Sequence, residues 1–157
     1  MPGPRDREGL PQSIRFWKSR IEETDAERTF AVGVIYGPSG CGKSSLLKAG
    51  LLPRLDQDIS VIYVEATPEG TGSQLKRLLS KRFPQLNPQQ NLAESLAAIR
   101  RGQIQPAASK VLIVVDQFEQ WRHTHGESDN HEIIQALRQC DGGKLQAVLT
   151  VRDDFWM

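Results

Sequence analysis

The sequence predicts an α/β fold built on a mostly parallel central sheet, and three observations carry that expectation. Apolar, largely β-branched runs recur along the 157 residues as FAVGVIY, ISVIYVEA, KVLIVVDQF and LQAVLTV. Segments with apolar residues at helical spacing lie between them, the alternation of a βαβ chain. The runs are apolar throughout instead of at every second residue, which marks strands covered on both faces. Right-handed crossovers then put helices on both sides of the sheet, giving three layers, α/β/α.

Residues 1–12 combine proline, glycine and charge with almost nothing to bury and read as a linker. Ser13 is a candidate N-cap before Ile14, Trp17 and Ile21, which share one face of an amphipathic helix. Residues 1–29 are therefore assigned to an N-terminal linker and helix, and residues 30–157 to the core. FAVGVIY (30–36) is the first strand, and SSLLKAGLL is helical until Pro53 breaks it. ISVIYVEA (59–66) is the second strand, and TGSQLKRLLSKRF sets Leu75, Leu78 and Leu79 on one helical face. Asn91 and Glu94 have capping-box spacing ahead of Leu92, Leu96 and Ile99, with Gly102 placed to end that helix. KVLIVVDQF (110–118) is the most apolar strand. Asn130 can cap a helix through Ile133, Ile134 and Leu137 that CDGG stops, and LQAVLTV (145–151) is the fourth strand.

Composition narrows the function. With 38% apolar and 25% charged residues the chain is ordinary globular material, enough for one core. A formal charge of +1 gives no global field to gather nucleic acid or anionic lipid, so neither partner is expected. Cys41 and Cys140 supply neither a disulfide framework nor metal-ligand spacing, which fits a reducing compartment and a cytoplasmic protein. MPGPRDREGLPQ has no apolar signal region, and the apolar runs fall far short of a membrane span.

GPSGCGKSS (37–45) carries the chemistry. Gly37, Gly42, Lys43 and Ser44 fit G-x-x-x-x-G-K-[ST] between an expected strand and an expected helix. Such a loop, here Gly37, Pro38, Ser39, Gly40, Cys41, Gly42, Lys43, Ser44 and Ser45, folds its N–H groups around a phosphate at a helix N-terminus. Lys43 would neutralise β- and γ-phosphate charge, and Ser44 would place its hydroxyl on Mg²⁺. The plain alternative is a glycine-rich turn that matches by accident. Asp116, at the end of VLIVVDQFEQ, would emerge at the carboxyl edge of the sheet and hold Mg²⁺ with Ser44. Glu119 is the candidate to orient or deprotonate an attacking water; alternatively both acids start a solvated loop. Arg152 ends the fourth strand on the same edge, where it would reach a γ-phosphate or, alternatively, pair with Asp153 or Asp154 at the surface.

GPSGCGKSSLLKAGLLPRL, VLIVVDQFEQ and VLTVRDDF together resemble the signal-transduction ATPases with numerous domains (STAND), in their novel STAND branch, over about residues 30–156. The resemblance implies a P-loop NTPase core that binds MgATP and hydrolyses it slowly to ADP as a nucleotide-controlled switch. It implies phosphate binding by Gly37, Gly42, Lys43 and Ser44, magnesium at Asp116, Glu119 as the second acidic residue and Arg152 as sensor arginine. Adenine over guanine comes from the resemblance alone. DQFEQ departs from the branch's common DQFEE at Gln120, which bears on hydrolysis. The family's sheet order is 5-1-4-3-2, so a chain stopping after its fourth strand is expected to be an incomplete core lacking the last strand and lid. Partners implied are other domains of a larger bacterial protein, of serine/threonine kinase, WD-repeat or sulfatase-modifying-enzyme-like kinds, and further copies in nucleotide-dependent self-association. Two other functions stay open: a non-hydrolysing interaction module and a small-molecule phosphotransferase. A GTPase is disfavoured because no N-K-x-D motif is present.

The remaining signals are weaker. His123, His125 and His131 are irregularly spaced in a polar loop, as in a solvated turn. Cys41 fits the loop's tolerance for small residues better than a redox role. Trp17, Trp121 and Trp156 are compatible with core or interface. SKRFPQ and IRRGQ read as solvated helix faces.

Overall fold

The computed structural model describes residues 12–37, 42–67, 70–102, 110–119 and 132–152. Asn130, the three histidines, Trp121 and Trp156 lie outside the described residues. In chain order the elements are α1 (Gln12–Glu22), β1 (Val32–Gly37), α2 (Lys43–Ser45), β2 (Ile59–Glu65), α3 (Thr71–Arg82), α4 (Leu92–Arg100), β3 (Lys110–Asp116), α5 (Glu132–Leu137) and β4 (Leu145–Arg152). α2 runs on through a π-helical stretch, Leu46–Leu51, into a 3₁₀ turn, Leu52–Arg54. Pro53 sits at the start of that turn, where no intrahelical N–H is needed from it, and the helical run ends one residue later at Arg54, with Leu55 extended.

The four strands pair in parallel in the order β1-β4-β3-β2. Parallel neighbours demand crossovers, and the helices that make them cover both faces. One face carries Val64, Ile113, Val115, Ala147 and Leu149 under Leu75, Leu79, Leu92, Leu96 and Ile133 of α3, α4 and α5. The other carries Ile35, Leu112, Val114 and Val148 under Ile14 and Ile21 of α1 and Leu47 and Leu51 of the helix after β1. Every residue of β3 is buried, which is why that strand reads as unbroken apolar sequence. The fold is thus the three-layer α/β/α arrangement expected. No helix among the described residues is long and apolar enough to cross a membrane.

Local rules set the ends of the elements. The Asn91 side chain accepts from Glu94 N at 2.8 Å while the Glu94 side chain accepts from Asn91 N at 3.1 Å, a complete capping box. Gly102 follows α4 with φ 74, a left-handed conformation that only glycine adopts without strain. Ahead of β4, Asp141 Oδ1 accepts from the N–H groups of Gly143, Lys144 and Leu145, and Gly142 takes φ 87.

α1 is packed into the second core. Trp17 stands edge-on to Phe30 with ring centroids 5.4 Å apart, over Gly33 of β1. A Cβ at Gly33 would lie 2.6 Å from the Phe30 ring, so the glycine makes room for both aromatics. Below them, at the amino edge of the sheet, Lys110 is 1% exposed and donates to Glu23 O and Gln146 Oε1. Gln146 Nε2 donates in turn to Phe30 O at 2.8 Å and Thr29 Oγ1 at 3.0 Å. The polar side chains thus supply donors to carbonyls of the segment linking α1 and β1 that no ladder reaches.

Candidate functional site

At the opposite, carboxyl edge, β1, β3 and β4 end around a cleft of about 400 Å³ lined by Gly42, Lys43, Ser44, Ser45, Asp116, Gln117 and Arg152. Two places in the chain make its floor. Gly37 ends β1, and Gly42 takes φ 89 before Lys43 opens the helix. Pro38, Ser39, Gly40 and Cys41 lie outside the described residues. On β3, Asp116 is the last strand residue, and the β1–β4 register pairs Gly37 with Arg152 on the same edge.

The centre of the cleft is the Asp116 carboxylate, 1% exposed and held by three hydroxyls. Ser44 Oγ donates to Oδ2 at 2.7 Å, Tyr63 OH donates to the same oxygen, and Thr150 Oγ1 donates to Oδ1. Burial pushes the Asp116 carboxyl up, but the bonds from Thr150, Tyr63 and Ser44 and the charge of Lys48 overcome it, holding it below its ordinary value. Asp116 is accordingly an anion. Tyr63 is shifted the other way: burial first, then its bond to Asp116 and the charges of Asp116 and Glu65, raise its phenol well above the ordinary range. It stays a donor. Lys48, one turn beyond the loop, sits 5.0 Å from the centre of the Tyr63 ring, within cation–π reach.

The turn after Asp116 is shaped by β4. Gln117 adopts φ 58, unusual for a residue with a side chain, and is kept there by three contacts. Its N–H donates to Thr150 Oγ1 at 2.8 Å, the next N–H, of Phe118, donates to Thr150 O at 2.8 Å, and its Nε2 donates to Glu65 Oε1 at 2.8 Å. This turn carries Glu119 inward, to 3% exposure. Glu119 Oε1 accepts from Arg152 N at 2.9 Å, and Oε2 has no hydrogen-bond partner among the described residues.

The described site residues expected from the sequence therefore gather at one edge, and Lys43, Ser44, Ser45, Asp116 and Arg152 share the cleft wall. Glu119 lies behind it, on the backbone of Arg152. Four residues escaped the sequence reading: Gln117, Tyr63, Thr150 and Lys48. Thr150 and Tyr63 had a signal, a hydroxyl inside an otherwise apolar strand, which has to find a partner when buried.

The site can hold a hard cation. An ionised carboxylate and a hydroxyl 2.7 Å apart are the oxygen donors Mg²⁺ takes. No three of His, Cys, Asp and Glu come together among the described residues.

Comparison with known proteins places the fold. The chain is similar in structure to the Drosophila origin recognition complex, ORC, determined bound to DNA, with TM-score 0.60 and 19% identity over 90% of this chain and 37% of that one. It is also similar to a Walker-type ATPase of Pyrococcus abyssi, with TM-score 0.58 and 18% identity over 96% of this chain and 47% of that one. The chain thus spans less than half the length of either structure, and identities this low speak to the fold alone. No curated protein matches. The family model described as Novel STAND NTPase 1 matches residues 16–157, from within α1 through the cleft and beyond β4. The chain belongs to the novel STAND NTPases.

Proposed function

We propose that the chain is the ATP-binding domain of a signal-transduction switch, which holds MgATP at the carboxyl edge of its sheet and hydrolyses it slowly to ADP. The observation that carries the reading is the 2.7 Å bond between Ser44 and Asp116 in a cleft that also contains Lys43 and Arg152. Two cationic side chains and a helix start face the space where a triphosphate would lie, and the anionic Asp116 closes its far side. Ser44 and Asp116 would hold Mg²⁺, which neutralises phosphate charge when bound. Lys43 binds and orients the β- and γ-phosphates, with the N–H groups of Gly42, Lys43, Ser44 and Ser45 beside them, and Arg152 reaches the γ-phosphate. Glu119 orients the attacking water with Oε2, since Oε1 is engaged by Arg152 N.

A cytoplasmic setting and partners among other domains of a larger protein, or further copies of the chain, follow from this reading. A switch needs contacts that differ between the ATP and ADP states. The second reading, a non-hydrolysing interaction module governed by nucleotide, is favoured by the burial of Glu119 behind the cleft wall.

Calorimetric titration of MgATP, MgADP and MgGTP into the wild type and Lys43→Ala tests the proposal. Binding of MgATP by the wild type and its loss in a folded Lys43→Ala is the expected result; absence of binding to a folded wild type refutes it. Phosphate release by the wild type that disappears in Glu119→Gln separates the hydrolysing reading from the second one.

A further inference from the structure

Asp116 Oδ2 accepts from two hydroxyls whose circumstances differ. Ser44 belongs to the phosphate loop, and its hydroxyl gives its one proton to Asp116 while its lone pairs stay open to a cation. Tyr63 belongs to β2, beyond β3, and reaches the same oxygen from outside the loop. In the β2–β3 register Tyr63 is paired with Val114 and Glu65 with Asp116, so the phenol starts one pleat below the carboxylate on the same face and reaches up to it. Its ring packs on the second core and lies under Lys48, which ties it to the helix that begins at the loop.

We propose that Tyr63 is a positioning residue for the cation site, keeping the Asp116 carboxylate oriented toward a divalent ion held together with Ser44. This rests on the nucleotide-binding reading above. Thr150 holds Oδ1, so together Thr150 and Tyr63 fix both oxygens from β4 and β2 without help from the loop. Partners of this kind behind a metal ligand set its orientation, and their removal weakens metal affinity by about tenfold or more. A tyrosine serves here because its hydroxyl lies at the end of a rigid ring, which spans the distance from the neighbouring strand. Phenylalanine would keep the packing and the ring beneath Lys48 while leaving Oδ2 with Ser44 alone.

The test compares Tyr63→Phe with the full wild-type chain in titrations of ATP, once with excess Mg²⁺ and once with EDTA. The expected result is an unchanged affinity in EDTA and a Mg²⁺-dependent gain in affinity that falls about tenfold in the variant. A merely structural role would lower both arms together, with a lower melting temperature, and that outcome overturns the proposal. So does a variant that retains the wild-type gain, while leaving the nucleotide-binding reading standing. A wild type that binds no ATP in either arm overturns both.

Discussion

Thr150→Val is the substitution whose cost can be worked from the structure, because valine keeps the shape and removes only the hydroxyl. Thr150 is fully buried, at 0% exposure, and its Oγ1 does two things at once. It donates to Asp116 Oδ1 and accepts from Gln117 N at 2.8 Å. A hydrogen bond to a charged group contributes about 1.5–3 kcal/mol, and a buried N–H left unpaired costs about 1–3 kcal/mol. The two together put the loss at about 2.5–6 kcal/mol at neutral pH, a large part of the roughly 5–15 kcal/mol that stabilises a typical domain.

Denaturant unfolding of the wild type and the variant as a function of pH separates the two contributions. The folded carboxyl of Asp116 lies below its ordinary 3.8, with burial opposing and the bonds from Thr150, Tyr63 and Ser44 and the charge of Lys48 prevailing. A depressed folded pKa stabilises fully above the unfolded value and the benefit is lost as pH falls through the folded one. Valine weakens that depression, so the difference between the proteins should shrink as the pH drops below about 4, leaving the part owed to Gln117 N. A loss under about 1 kcal/mol at neutral pH, or one that stays level into acid, would show that Thr150 does not hold the carboxylate.

Two further outcomes bear on the scaffold. Gly142→Ala should lower stability by about 2 kcal/mol or more in thermal unfolding, because φ is 87 and the new Cβ would lie 2.7 Å from the backbone oxygen of Phe30. Lys110 is lowered from 10.5 to about 8 by burial, against the opposing charges of Glu23 and Asp141. Below that range folding has to bury its charge, and between the two values the unfolded chain binds more protons. The wild type should therefore gain stability relative to Lys110→Met as pH rises from about 8 to 10.5. Tyr63 and Cys140 titrate alike in both proteins and cancel, so a flat difference would refute the placement of a buried charge there.

The strands were legible because burial on both faces leaves a continuous apolar signature, and β3, buried at every residue, is the clearest case. The gathering of Gly42, Lys43, Ser44 and Asp116 at one edge was legible because the motif spacing puts a strand end, a turn and a helix start in that order, and an acid at the end of a buried strand emerges on the same side. What surrounds Asp116 was not, for a definite reason. Thr150 and Tyr63 meet it only through the register of three parallel strands, and crossover connections do not encode register as a hairpin turn does. Even the sheet order came from the resemblance and not from the residues. Trp17 could be read as core or interface, and its seat on β1 depends on the missing side chain of Gly33, visible only once the two elements are brought together. The inward course of Glu119 likewise follows from φ 58 at Gln117, a conformation no side chain announces.

That turn binds two of the proposed roles to each other. Glu119 Oε1 supplies the acceptor for Arg152 N, the last residue of β4, while the Arg152 side chain lines the cleft. A buried carboxylate oxygen without a partner is costly to keep, and Glu119 Oε2 has none among the described residues. A water reaching Oε2 behind the cleft wall would meet it without disturbing Oε1, so orienting water and anchoring Arg152 are compatible. Pulling the whole carboxylate toward the cleft would instead strip Arg152 N of its acceptor and loosen the end of the strand that carries that arginine. Glu119 and Arg152 are therefore not independent positions. Replacing the acid should alter where the arginine sits as well as what happens to water, and kinetics of a Glu119 variant alone report the sum of both effects.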